Sequence, residues 1–201
     1  TSPLSVSLVP SDNGSGVAAT YYQINNGPVQ SGTQFQLTAD GYYTLVFYSV
    51  DAAANVEVGF PVQVKIDSAA PGTPTAVTTT PAEWSRVNRF AVQWANPTDL
   101  SGIVGVYYRL DREPTAPDDG AFSPLTNRLY GLTVPSEGIH RLYLWLRDSA
   151  GNADHRNRTL APLLRYDATP PATAAALHSA GAPNAGGWYR GPVTVTLTAT
   201  D

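Results

Sequence analysis

The feature that most constrains this chain is that it repeats itself. Ser15-Gly16-Val17-Ala18-Ala19-Thr20-Tyr21-Tyr22-Gln23-Ile24-Asn25 returns as Ser101-Gly102-Ile103-Val104-Gly105-Val106-Tyr107-Tyr108-Arg109-Leu110-Asp111. Asp40-Gly41 and Asp51-Ala52-Ala53-Ala54-Asn55 return as Glu137-Gly138 and Asp148-Ser149-Ala150-Gly151-Asn152, with ten positions from Gly to Asp in both. A third copy joins the two ends, because the stretch from Pro3 to Asp12 resembles that from Pro192 to Asp201. Copies of one strand-and-turn unit fold into copies of one module.

The copies divide the chain into residues 1–67, a module lacking its first strand; 68–167, a complete module; and 168–201, the opening strands of a third. Trp84 before Phe90, and Trp188 before Val193, mark the opening segment that the first module lacks. A length of 201 residues suits about two modules of roughly 100 residues each. Asp67-Ser68-Ala69-Ala70-Pro71 and Asp167-Ala168-Thr169-Pro170-Pro171 read as Pro-containing linkers, which act as semi-rigid spacers and set the modules in line. The chain has no Met, not even at its first position, so it reads as part of something longer, an arbitrary cut in a repeat array. Strand exchange between chains could also complete the first module.

Alternation of apolar and polar residues places strands in the complete module near 75–80, 90–95, 104–111, 129–134, 140–147 and 159–166. With 17 Gly and 17 Pro the chain is punctuated too often for long helices, and the fold class is all-β, a series of β-sandwich modules. Tyr43, Leu45 and Phe47, and their counterparts Leu142, Leu144 and Leu146, face the gap between the sheets. Thr44, Val46 and Tyr48, and Tyr143, Trp145 and Arg147, face outward. Asn25-Asn26-Gly27 reads as a tight hairpin turn in which Gly supplies the positive φ.

As a set, Asp99, Ser101 to Ile103, Tyr107 to Asp111, Glu137-Gly138 and Asp148 to Asn152 resemble bacterial immunoglobulin-like surface repeats, and residues 71–167 resemble fibronectin type III modules. The resemblance implies a module of bacterial adhesins, surface-layer proteins, fibres or non-catalytic parts of secreted hydrolases, with no catalytic residues to carry over. Ala54 stands where the turn usually has Gly, and His140 where related sandwiches often have the Tyr that closes a corner.

The charge pattern narrows the partners. Net charge is −4 and the twelve cations are scattered, which excludes the basic stripe that a nucleic acid requires. No run of about 18 apolar residues offers a membrane span. The absence of Cys removes disulfides, thiolate zinc sites and thiol catalysis, and fits a bacterial surface protein.

His140, His155 and His178 are too dispersed to share one metal, and no metal or other cofactor is expected. Asp12, Asp99 and Asp201 recur at turns where linker Asp67 and Asp167 could converge on Ca²⁺, but turn chemistry explains recurrent Asp without an ion. No nucleophile elbow, phosphate loop or zinc-protease motif is present, so the chain is read as no enzyme. Asp118-Asp119 lies in a turn-rich loop and is a poor glycosidase pair. Asn13-Gly14-Ser15 and Asn157-Arg158-Thr159 match the glycosylation sequon, a short and often accidental pattern.

The remaining candidate site is a set of outward side chains. Tyr107, Arg109, Tyr143, Trp145 and Arg147 could lie on neighbouring strands, aromatic rings stacking on sugar faces while Arg bonds hydroxyls. The leading expectation is a non-catalytic structural repeat segment of an extracellular or cell-surface protein, a spacer and contact surface. Its partners would be neighbouring modules and other copies in a fibre. The alternative is a glycan-binding adhesin, or an accessory module of a secreted hydrolase.

Overall fold

The structure, a computed structural model, describes residues 3–201 and is all-β apart from one turn of 3-10 helix at His155–Asn157. In the first segment β1 (Leu4–Ser7) pairs with β4 (Gln34–Leu37), opposite a four-stranded sheet. That sheet has the order β3 (Gln30–Ser31), β2 (Val17–Ile24), β5 (Gly41–Asp51), β6 (Phe60–Ile66). In the second, β7 (Thr75–Thr80), β8 (Phe90–Ala95) and β11 (Arg128–Leu132) make one layer in the order β11-β8-β7. The facing layer runs β10 (Ala121–Ser123), β9 (Ile103–Leu110), β13 (Leu142–Asp148), β14 (Thr159–Leu160). A short pair, β12 (Gly138–His140) with β15 (Leu164–Tyr166), accompanies them. Beyond them β16 (Ala172–Ser179) and β17 (Val193–Thr200) form an eight-pair hairpin exposed on both faces.

The core of the second module lies where alternate residues of its layers meet. Phe90, Val92 and Trp94 of β8 and Leu129 and Leu132 of β11 pack toward Val106, Leu142, Leu144, Leu146 and Leu164. Each such side chain contributes about 1.5–3 kcal/mol by leaving water. Leu142, Leu144 and Leu146 are buried as the alternation predicts; in the first module Leu45 is buried while Tyr43 and Phe47 are only half-buried. The difference follows from the sheets. β8 has a neighbour on each edge, whereas β1 pairs only with β4 among the described residues.

The strands at 75–80 and 90–95 fall where the alternation sets them. Two expected strands are interrupted: 140–147 breaks at Arg141, and 159–166 divides into β14 and β15. The hairpin turn after β2 also differs from expectation. Asn25 (φ 49°) and Asn26 (φ 59°) carry the positive φ, not Gly27, and the Gly27 amide closes the turn on the Ile24 carbonyl. Asn tolerates this region because its side chain bonds locally.

Asn25 does more than turn the chain. Its amide donates to the Thr44 carbonyl and its Oδ1 accepts the Thr44 amide at 2.7 Å; Asp111 (φ 58°) does the same with Arg141, its Oδ1 accepting the Arg141 amide at 2.9 Å. In the second module His140 adds a further clamp. It is buried, with Nδ1 2.6 Å from Asp111 Oδ2 and Nε2 2.9 Å from the Ser136 carbonyl, and so ties the end of β12 to the end of β9.

Two predictions follow from these turns. Ala54 (φ 67°) and Gly151 (φ 97°) occupy the same left-handed position, which costs a residue with Cβ about 1–2 kcal/mol. Ala54→Gly therefore stabilises the first module, and Gly151→Ala destabilises the second, each by about 1 kcal/mol in urea melts. Burial acts to raise the pKa of Asp111, but hydrogen bonds from His140 and the Arg141 amide, with the charges of both residues, outweigh it and hold the carboxyl below its ordinary 3.8. Its stabilisation is complete above that value and is lost as pH falls through the lower folded value. Acid melts should show that loss below about pH 4, and Asp111→Asn should reduce it.

Candidate functional site at the module junction

The two repeated motifs form one structure. At the open end of the β9–β13 pair, the Asn152 amide donates to Asp148 Oδ1 at 2.7 Å and Asn152 Nδ2 to Asp148 Oδ2 at 2.8 Å. The Ser149 amide reaches the Gly102 carbonyl, and the Ala150 amide reaches Ser101 Oγ. Asn55 grips Asp51 identically, while the Ala52 amide meets the Gly16 carbonyl and the Ala53 amide meets Ser15 Oγ. Ser-Gly and Asp-x-x-x-Asn recur together because they are the two halves of this closure.

The linker seats itself on the closure of the second module. Asp67 Oδ2 accepts the Ser101 amide at 2.9 Å, while Asn152 Nδ2 donates to the carbonyls of Asp67 and Ala69. Asn157 Nδ2 donates to the Pro71 carbonyl at 2.8 Å, and Pro71 and Pro74 are fully buried. Glycosylation of Asn157 would displace that bond. Tyr42 of the first module donates its hydroxyl to the Leu100 carbonyl, and Lys65 lies over its ring at 5.7 Å. The acidic-Gly turns hold the outgoing chain: Asp40 accepts from Ser68 Oγ, and Glu137 accepts from the Ala168 amide and Thr169 Oγ1.

Three carboxylates converge there. Asp67, Asp99 and Asp148 place one oxygen each within 4.8 Å of the others, and these are the residues that could hold a hard divalent cation. Asp167 and Asp12 serve other turns: Asp167 Oδ1 takes the Thr169 amide, and Asp12 Oδ2 takes the Gly14 and Gly16 amides. Asp99 Oδ1 likewise takes the Gly102 amide at 2.9 Å. Turn chemistry therefore accounts for the placement of each carboxylate. Burial first, then the charges of Asp148 and Asp67, raise the pKa of Asp99 above the ordinary value.

The five residues singled out from sequence are brought together as strand neighbours. Tyr143 pairs with Arg109, Trp145 with Tyr107, and Arg147 with Gly105. Their exposure does not follow the alternation. Trp145, expected to face outward, is completely buried: residues 112–120 fold over it, and its indole Nε1 donates to the Pro117 carbonyl at 2.7 Å. Gly120 permits the cover, since a Cβ there would lie 2.6 Å from both Trp145 Cη2 and the Tyr108 carbonyl oxygen. Arg109 is paired with Asp119, whose other oxygen accepts from the amide and hydroxyl of Thr115. Asp119 thus pins the loop, and the loop takes Trp145 and the Arg109 guanidinium away from a sugar platform. Tyr107, Tyr143 and Arg147 remain half-buried.

No family model matches the chain, and no curated protein matches it. Among solved structures it is similar to the fibronectin(III)-like modules of CbhA from Clostridium thermocellum, at 14% identity and a TM-score of 0.36, with 82% of this chain and 83% of that chain covered. A likeness at that level carries no argument about function. The all-β class rests on the strands themselves.

The junction missing from the sequence reading is the one made by Tyr42, Asn152 and Asn157. Repetition marked Asn152 as a turn residue, but nothing local showed that its second amide hydrogen is spent on the linker. The raised pKa of Asp99 gives a prediction. Its ionised form is disfavoured by folding, so stability rises as pH falls from the raised folded pKa toward the unfolded one. Asp99→Asn keeps the acceptor for Gly102 and removes the repulsion, so it should raise the melting temperature at pH 7 and lose that advantage in acid.

Proposed function

We propose that this chain is a non-catalytic structural repeat segment of an extracellular bacterial cell-surface or fibre-forming protein, acting as a spacer and contact surface between neighbouring modules. The observation that carries the reading is the seated linker. A free hinge would leave its backbone groups to water, whereas Asp67, Ala69 and Pro71 are bonded to side or main chain of the second module. Buried Pro71 and Pro74 remove further freedom. A spacer transmits position, and that requires each module to hold the next at a set angle. The resemblance to bacterial surface repeats and the lack of Cys support placement outside the cell.

Small-angle scattering of the 201-residue chain tests the reading. One narrow distribution of distances should fit the protein, and Asp67→Ala combined with Tyr42→Phe should broaden it while each module keeps its own melt. A protein that already requires a broad ensemble before substitution would exclude the rigid-spacer role.

A further inference from the structure

The first segment repeats the seat that holds the linker on the second module. On the second module the Ser101 amide donates to Asp67, and Asn152 Nδ2 reaches the Asp67 and Ala69 carbonyls. The chain then runs through buried Pro71 into β7. Ser15 and Asn55 stand in the same places around Asp51. Among the described residues, however, the Ser15 amide has no acceptor, and Asn55 Nδ2 spends a hydrogen only on Asp51 Oδ2. Beside them lies a groove of about 750 Å³, lined among others by Leu8, Val9, Val17, Phe47, Val50 and Val56.

The strand that follows the linker has a matching place as well. β7 pairs with β8 and lays Val77 on the core, whereas the corresponding edge of β1 is unpaired among the described residues. In the facing layer, β6 sets Phe60, Val62 and Val64 opposite Phe47, Leu45 and Tyr43, and so on the inner face with buried Leu45. Phe60 is nevertheless 66% exposed and Val62 41%. A bare inner face beside an open strand edge takes up an extended segment by strand addition.

One segment of the chain repeats the occupant of the seat. Asp167 to Pro171 copies Asp67 to Pro71, Asp167 Oδ1 takes the Thr169 amide as Asp67 Oδ1 takes the Ala69 amide, and β16 follows as β7 does. Ala175 and Leu177 share a face with Leu197 and Val195, and Leu177 is 56% exposed. β1 in turn repeats β17, with Leu4, Val6 and Leu8 standing for Val193, Val195 and Leu197. A β1 edge can therefore replace β17 against β16, keeping the backbone bonds while covering two bare apolar faces, and the connection at 180–192 leaves β17 room to part. Within one chain the two cannot meet, because the second module holds Asp67 at one end and Thr169 at the other.

We infer that the seat on the first segment receives Asp167 to Ser179 of a second copy of this chain, with the Asp167 carboxylate on the Ser15 amide and β16 along β1. The contact joins unlike surfaces, so it repeats head to tail from copy to copy. It deepens the contact-surface reading by naming the partner; the scattering test, read at concentrations where the chain is monomeric, concerns the Asp67 junction and stands or falls separately.

Sedimentation of the whole chain over a range of concentrations tests the inference, with a synthetic peptide of residues 167–179 as competitor. Assemblies should grow with concentration, and excess peptide should return them to monomers while shifting the amide resonances of Ser15, Asn55 and Val62. Val62→Asp and Leu177→Asp, both at exposed positions, should each weaken self-association at least about tenfold with the melts retained. Mixed together, the two variants should form one-to-one pairs, since each keeps the surface that the other has lost. A chain that stays monomeric at every concentration, assembly that survives Val62→Asp, or variants that fail to pair when mixed would each overturn the assignment.

Discussion

The structure depends on one buried carboxylate. Asp148 is 1% exposed, and a charge so placed must have its oxygens filled. Asn152 fills both, which fixes the loop between them. With the loop fixed, the Ser149 amide meets Gly102, the Ala150 amide meets Ser101, and Asn152 has a hydrogen left for the linker. Closure of the β9–β13 end and seating of the linker therefore meet at a single residue. The first module builds the same closure from Asp51 and Asn55.

Electrostatics sets a cost against this arrangement. Seating Asp67 on the Ser101 amide brings a third carboxylate to Asp99 and Asp148, and the burden falls on Asp99, whose proton is held more tightly than usual. The opposite end of the module shows the reverse balance. There Asp111 is surrounded by donors and holds its proton less tightly. One end of the module thus gains from ionisation and the other is relieved by protonation, so the two ends respond to acid with opposite sign.

How much of this could be read from sequence depended on range. The strands at 75–80 and 90–95 were legible because alternation is a local signal, and Leu142, Leu144 and Leu146 identified the inner face for the same reason. β10 was missed because Ala121-Phe122-Ser123 is too short to alternate. Trp145 was placed outside because period two assigns a side of the sheet, and its cover comes from a loop held by Asp119 to Arg109, a contact that no periodicity reports. The acidic residues at turns were visible, and so was the convergence of Asp67 on Asp99 as a possibility. The role of Asp148 was hidden behind its place in a repeated turn.

The grips on the incoming and outgoing linkers lie at opposite ends of one strand path. Glu137, at the start of β12, holds Ala168 and Thr169, and Asn152, just past the end of β13, holds Asp67 and Ala69. A load passed from one linker to the other through these grips would run along the backbone of β12 and β13. The ladder to β9 holds that path in register. In the first segment β5 runs unbroken from the Asp40 turn to Asp51 and would offer the same path.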